Sequence, residues 1–108
     1  MLEKVKMNLL LDLYGPLLTN KQRKICEYYY GLDLSLQEIA ELENISRSAV
    51  HDMIKRVQNE LKNYERLLHL LENRNKREKI YQHLEQTNNK DILKDIKHLR
   101  NIEEGNHE

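Results

Sequence analysis

"SLQEIAELENISRSAVHDMIKR", Ser35 to Arg56, decides the fold. Ser35 and Glu38 stand three residues apart, the spacing at which a serine hydroxyl and a glutamate carboxylate cap each other's backbone N–H groups. A short helix is therefore expected from Ser35, with Leu36, Ile39, Ala40 and Leu42 facing a core. "ENIS" interrupts it. Asn44 tolerates the left-handed backbone of a tight corner, Ile45 plugs that corner, and Ser46 is placed to cap a second helix. Ala40 is small enough to let the two helices touch. The pattern predicts a helix-turn-helix, with Val50 and Met53 inward on the second helix. Arg47, Ser48, His51, Lys55 and Arg56 are then left outward near its N-terminal turns, where base edges and phosphates of a nucleic acid are reached. From Ser46 to Arg56 there are three Lys/Arg against one acidic residue, Asp52.

The plainer alternative is a helical packing unit with a solvated charged face. Glu38, Glu41 and Glu43 on the preceding helix support that alternative, because they would repel phosphates across the same face.

Upstream, a first helix is predicted from Glu3 to Tyr14, with Leu2, Val5, Leu9, Leu10 and Leu13 along one side. Gly15 and Pro16 stop it. Thr19 and Gln22 form another capping-box pair, opening a helix through "KQRKICEYYYGL" in which Ile25, Tyr28 or Tyr29, and Leu32 point inward and Gly31 is the exit. Three successive tyrosines, Tyr28 to Tyr30, fan over about 200° of a helix, so one or two pack inward rather than stack on bases. Cys26 reads as a small buried hydrophobe.

Downstream, Val50, Ile54, Val57, Leu61, Tyr64, Leu68 and Leu71 alternate spacings of four and three, which predicts one helix from Ser46 to Leu71. Leu67 and Leu70 widen the stripe beyond a coiled-coil seam. Leu61, Tyr64, Leu67, Leu68, Leu70 and Leu71 are accordingly the candidate protein interface. The remainder supplies Ile80, Tyr81 and Leu84, a turn at "TNNKD", the stripe Ile92, Ile96 and Leu99, and a frayed end at "EEGNHE". "RNKREK", Arg74 to Lys79, is a basic cluster that reads more simply as a solvated helix face.

Composition bounds the rest. The 108 residues suffice for one domain and not comfortably for two, and they are 39% hydrophobic and 33% charged. With mean hydropathy at −0.84, abundant helix formers and one proline, an all-α chain of five or six helices is expected. Eighteen basic and eighteen acidic residues cancel, so any nucleic-acid contact rests on a local patch, doubled by a homodimer. The absence of a signal-peptide pattern and of a long apolar run predicts a cytoplasmic protein. A single cysteine excludes an internal disulfide. The histidines (His51, His69, His83, His98 and His107) fall in no zinc pattern, although His69 has Glu65 and Glu72 at helical spacing. With three glycines there is no phosphate-cradling loop, and no nucleophile elbow is present. A non-enzymatic protein without cofactor or metal is expected.

"LLTNKQRKICEYYYGLDLSLQEIAELENISRSAVHDMIKR" followed by "NYERLLHLL" resembles the YlxM family, small bacterial proteins whose helix-turn-helix is like region 4 of RNA-polymerase sigma factors. The markers are Leu18-Thr19 with Lys21-Gln22, Tyr29-Tyr30, Ser35-Leu36 with Glu38-Ile39-Ala40, Ser46-Arg47 with Ala49-Val50, and Ile54-Lys55-Arg56. Glu43 and Asn44 stand where the family usually has an aromatic and a glycine, which implies that Leu42 or Ile45 fills the core there. The resemblance implies a nucleic-acid-binding regulator with a part in the signal-recognition-particle pathway, through its RNA, its GTPase or its transcription. The rival it implies is a protein-interaction module that docks on that GTPase through the long helix. The expected organisation is a helix-turn-helix domain of three to four helices with a long helix, residues 1–71. A C-terminal helical appendage, 72–108, would pack on the long helix or on a dimer mate.

Overall fold

The computed structural model describes residues 2–105. The side chain of Leu2, His107 and the end of the expected frayed segment lie outside the described residues. Six α-helices follow one another, with no strand among the described residues: α1 Leu2–Tyr14, α2 Asn20–Cys26, α3 Leu36–Glu43, α4 Arg47–Leu68, α5 Leu70–Leu84 and α6 Lys90–Glu103. The chain divides into two units, Met1–Leu71 and Glu72–Glu108.

In the first unit, local chemistry sets the starts of α2 and α3. Thr19 and Gln22 cap each other at 3.0 and 3.1 Å, as do Ser35 and Glu38, both at 3.0 Å. The Ser35 backbone N–H first, and its side chain second, hold the Glu38 carboxyl below its ordinary range. Gly15 and Pro16 end α1 in a single 3-10 turn, Gly15–Leu17. The core gathers Met7, Leu10 and Tyr14 of α1, Ile25 and Cys26 of α2, Tyr30, Ile39 and Ala40 of α3, and Val50, Ile54, Val57 and Leu61 of α4.

The inward face of α1 is thus centred on Met7, Leu10 and Tyr14. Val5 is exposed and does not belong to it, while Leu9 and Leu13 lie at its margin. The reason is spacing: 7, 10 and 14 make a three-four stripe, and Val5 falls on the far side of it.

After α2 the chain makes a π turn, Glu27–Gly31, in which the Leu32 N–H bonds back five residues to the Glu27 carbonyl at 3.0 Å. The wide turn inserts one residue into the helical count. Tyr30 therefore takes the buried position expected of Tyr28 or Tyr29, which are half-buried, and Leu32 is turned out to solvent. Asn8 donates to the Tyr30 carbonyl at 3.2 Å and Gln58 to the Tyr30 hydroxyl. Both fasten the turn to α1 and α4.

The long helix is shorter than its stripe implies. α4 ends at Leu68, and His69 adopts a left-handed conformation (φ 56°, ψ 29°) before α5 starts. Twenty-two residues extend about 33 Å at 1.5 Å each. Leu68 consequently faces solvent, whereas Leu71, on the next helix, returns to the core. The Tyr14 hydroxyl donates to the Glu65 carboxylate at 2.7 Å and accepts from the Leu70 N–H at 3.1 Å. The same Glu65 oxygen accepts from the Leu71 N–H at 2.9 Å. Two N–H groups that the start of α5 would leave unsatisfied are thereby paired.

In the second unit, Tyr81 and Ile96 are the buried residues. Around them, Arg77 and the Tyr81 hydroxyl meet Glu103 at 2.5 and 2.7 Å, and Arg100 pairs with Glu78 at 2.6 Å and with Glu85. Ile80, Leu84, Ile92 and Leu99 are exposed, because two helices enclose only the residues directly between them. Within the cluster Arg74 to Lys79, Lys76 pairs with Glu72 at 3.3 Å and Arg77 with Glu103.

Two outcomes follow. Asn44→Ala should lower the stability of the first unit by about 1 kcal/mol, because alanine adopts the left-handed backbone less readily than asparagine, while Asn44→Gly should leave it unchanged or raised; urea denaturation measures both. Burial, with Glu27 adding to it, pushes the Cys26 thiol up to about 11. It should resist a thiol-specific disulfide reagent at pH 8 in the folded protein and react at once in denaturant.

Candidate nucleic-acid interface

The corner forms as its residues dictate. Asn44 is left-handed (φ 54°, ψ 42°), and its N–H returns to the Ala40 carbonyl. The Ile45 N–H bonds to the same carbonyl at 3.1 Å. Ser46 then caps α4 by accepting the Ala49 N–H at 3.0 Å. No acidic residue lies in the first turn of α4, so the partial positive charge of the helix start is left open to an anion.

Core contact determines which face of α4 is presented. Val50, Ile54, Val57 and Leu61 are buried and Met53 is half-buried. With one side held, Arg47, Ser48, His51, Lys55 and Arg56 are all exposed, as the sequence predicts. At about 100° per residue they spread over roughly half the helix circumference. Arg47, His51 and Lys55 follow one another at four-residue steps along one flank; Ser48 points more directly outward; Arg56 marks the opposite flank.

The face is not purely basic. Asp52 is exposed between Lys55 and Arg56, and its carboxylate lies 3.5 Å from His51 Nδ1. This carboxylate is the feature of the interface that residue counting undervalues, because its weight comes from its central place in the helical projection. Ser48 is engaged with Ser46, hydroxyl to hydroxyl at 3.2 Å.

The three carboxylates of α3 are occupied. Glu38 caps Ser35, Glu41 accepts from Gln37 at 3.2 Å, and Glu43 pairs with Lys24 at 3.5 Å. The Glu43 side chain is only 16% exposed. Of the two residues expected to fill the core beside it, Ile45 packs there and Leu42 does not: Leu42 faces solvent. Lys24 is held in this pair, and the Glu43 carboxylate raises its proton affinity, so that the two charges offset each other on the surface beside α2.

The expected protein interface is split by the helix break. Leu61 and Leu71 belong to the core, and Tyr64 is half-buried with its ring 5.8 Å from that of Tyr14. The two leucines are closed to a partner. Leu67, Leu68 and Leu70 are exposed at 57%, 51% and 41%.

Comparison with known proteins agrees with this geometry. Residues 1–102 match the family described as "Putative helix-turn-helix protein, YlxM / p13 like". The chain belongs to the YlxM/p13-like family. Relatives bear the name UPF0122 protein. One from Clostridium botulinum is 45% identical over 98 residues, 90% of each chain. One from Listeria welshimeri is 42% identical over 104 residues, covering 91% of this chain and 94% of the relative. One from Desulforamulus reducens is 56% identical over 66 residues, 61% of this chain and 56% of the relative. The family description names a structural motif and no catalytic activity. No helix among the described residues is long and apolar enough to cross a membrane.

Proposed function

We propose that this YlxM/p13-like chain is a non-enzymatic regulator that binds duplex nucleic acid by entering the groove with the first turns of α4. The observation that carries this reading is the exposure of Arg47, Ser48, His51, Lys55 and Arg56 on the outer face and flanks that the buried stripe of α4 leaves free. Arg47, Ser48 and His51 approach base edges, and Lys55 and Arg56 hold phosphates. The major groove of B-form DNA admits an α-helix, whereas that of A-form RNA is too narrow, so DNA is the better fit for this element. Because the whole chain is formally neutral, binding depends on the local patch. A homodimer, formed in the cytoplasm through the exposed Leu67, Leu68 and Leu70, would double that patch and set two α4 starts against one duplex. A part in the signal-recognition-particle pathway rests on the family resemblance.

The same three exposed leucines favour the second reading, in which the chain docks on the GTPase of that pathway and uses no nucleic acid. The two separate cleanly. Arg47→Glu with Lys55→Glu should weaken duplex binding at least 100-fold, and the slope of log K against log salt should become shallower by about 0.9 for every phosphate that is no longer neutralised. Asp52→Asn should strengthen binding. Affinity insensitive to salt and to the charge reversals, with association abolished by changing Leu67 and Leu70 to polar residues, would replace the groove reading by the docking one.

A further inference from the structure

The break between α4 and α5 carries none of the residues that usually end a helix. From Arg47 to Leu84 there is no glycine and no proline, and "ERLLHLLEN", Glu65 to Asn73, is rich in helix formers. The four-three stripe runs through the break without a slip, from Tyr64 to Leu68 to Leu71. The one residue outside helical geometry is His69, a side-chain-bearing residue at φ 56°, a region L residues enter at a cost, although histidine does so more often than most. Local sequence therefore asks for one helix through Leu71 and beyond, and the structure has two.

What opposes the local preference lies elsewhere in the first unit. Tyr14, on α1, supplies the hydroxyl that accepts the Leu70 N–H, and its donation to Glu65 aims that carboxylate at the Leu71 N–H. Leu71 is seated in the core beside them. In a continuous helix the Leu70 and Leu71 N–H groups would bond instead to the carbonyls of Arg66 and Leu67. Leu71 would then leave its seat. The Leu70 and Leu71 N–H groups thus have partners in either arrangement, a condition for two states rather than one state and its unfolding.

From this we infer that the α4–α5 junction is a conformational switch. The Tyr14 hydroxyl and the Glu65 carboxylate latch it in the broken state, and its other state is a single helix through residue 69. The device lies at the far end of the helix whose start carries the candidate contacts, and it does not depend on what those contacts bind. An event that frees Tyr14 or draws Leu71 outward would change the conformation of residue 69 while leaving the stripe from Val50 to Leu61 seated.

The test uses the full chain and reads the conformation of residue 69 by NMR, from its Cα shift and its HN–Hα coupling, with hydrogen exchange at residues 70 and 71. His69→Gly, which relieves the left-handed penalty, should keep the break and stabilise the first unit. His69→Ala combined with Tyr14→Phe should bring residue 69 to right-handed helical values, raise the helical circular dichroism, and leave the amides of Val50 to Leu61 as protected as before. The latch bond alone should bias the equilibrium about tenfold, visible as a larger shift in the double variant than in His69→Ala. Residue 69 remaining left-handed in the double variant would overturn the switch and reduce the network to a helix cap. Loss of protection from Val50 to Leu61 would overturn it as well, since the first unit would then be unfolding rather than changing state.

Discussion

The burial of Val50, Ile54, Val57 and Leu61 against α1, α2 and α3 is the constraint on which the interface depends. Each such side chain, once removed from water, contributes about 1.5–3 kcal/mol, so rotating α4 to present another face would cost several of these at once. A helix whose inner face is held this firmly has no choice about its outer one. Arg47, His51 and Lys55 are presented because of what lies behind them, and no feature of those three side chains is needed to orient them. The corner at Asn44 serves the same end: it fixes where α4 starts, and so which residues occupy the open N-terminal turn.

Much of this was legible in the residues. Hydroxyl-to-carboxylate spacing located the start of α3, its hydroxyl-to-amide counterpart that of α2, and Ser46 that of α4, because a cap is a purely local contact. The outward residues of α4 were legible for a related reason: a clear apolar stripe leaves a definite complement. The charge balance around α3 could not be read from the helix alone, since the Glu43 carboxylate pairs with Lys24, which lies nineteen positions earlier.

Two of the misreadings share one physical origin. They came from extending a regular period across a place where tertiary contact alters it. The π turn adds one residue between Ile25 and Tyr30, so the inward tyrosine is displaced by one and Leu32 is turned out. At His69 the period of the stripe is intact and the helix is nonetheless broken, because Tyr14 and Glu65 supply partners that a local reading cannot see. Val5 and Leu42 were assigned inward as apolar residues on helices, although neither falls on the stripe its neighbours define. Periodicity therefore read faithfully where a helix packs along its whole length, and failed at the ends, where long-range hydrogen bonds decide.

The central claim is that the exposed start of α4 meets a duplex. It is tested most directly by titrating the isotopically labelled chain with a short DNA duplex at low salt and following backbone and side-chain resonances. The account predicts that shifts concentrate on Arg47 to Arg56 and the Asn44 corner, with Val50 and Ile54 moving less than their exposed neighbours. Shifts confined to Leu67, Leu68 and Leu70 or to the second unit, with Arg47, His51 and Lys55 unmoved, would contradict it.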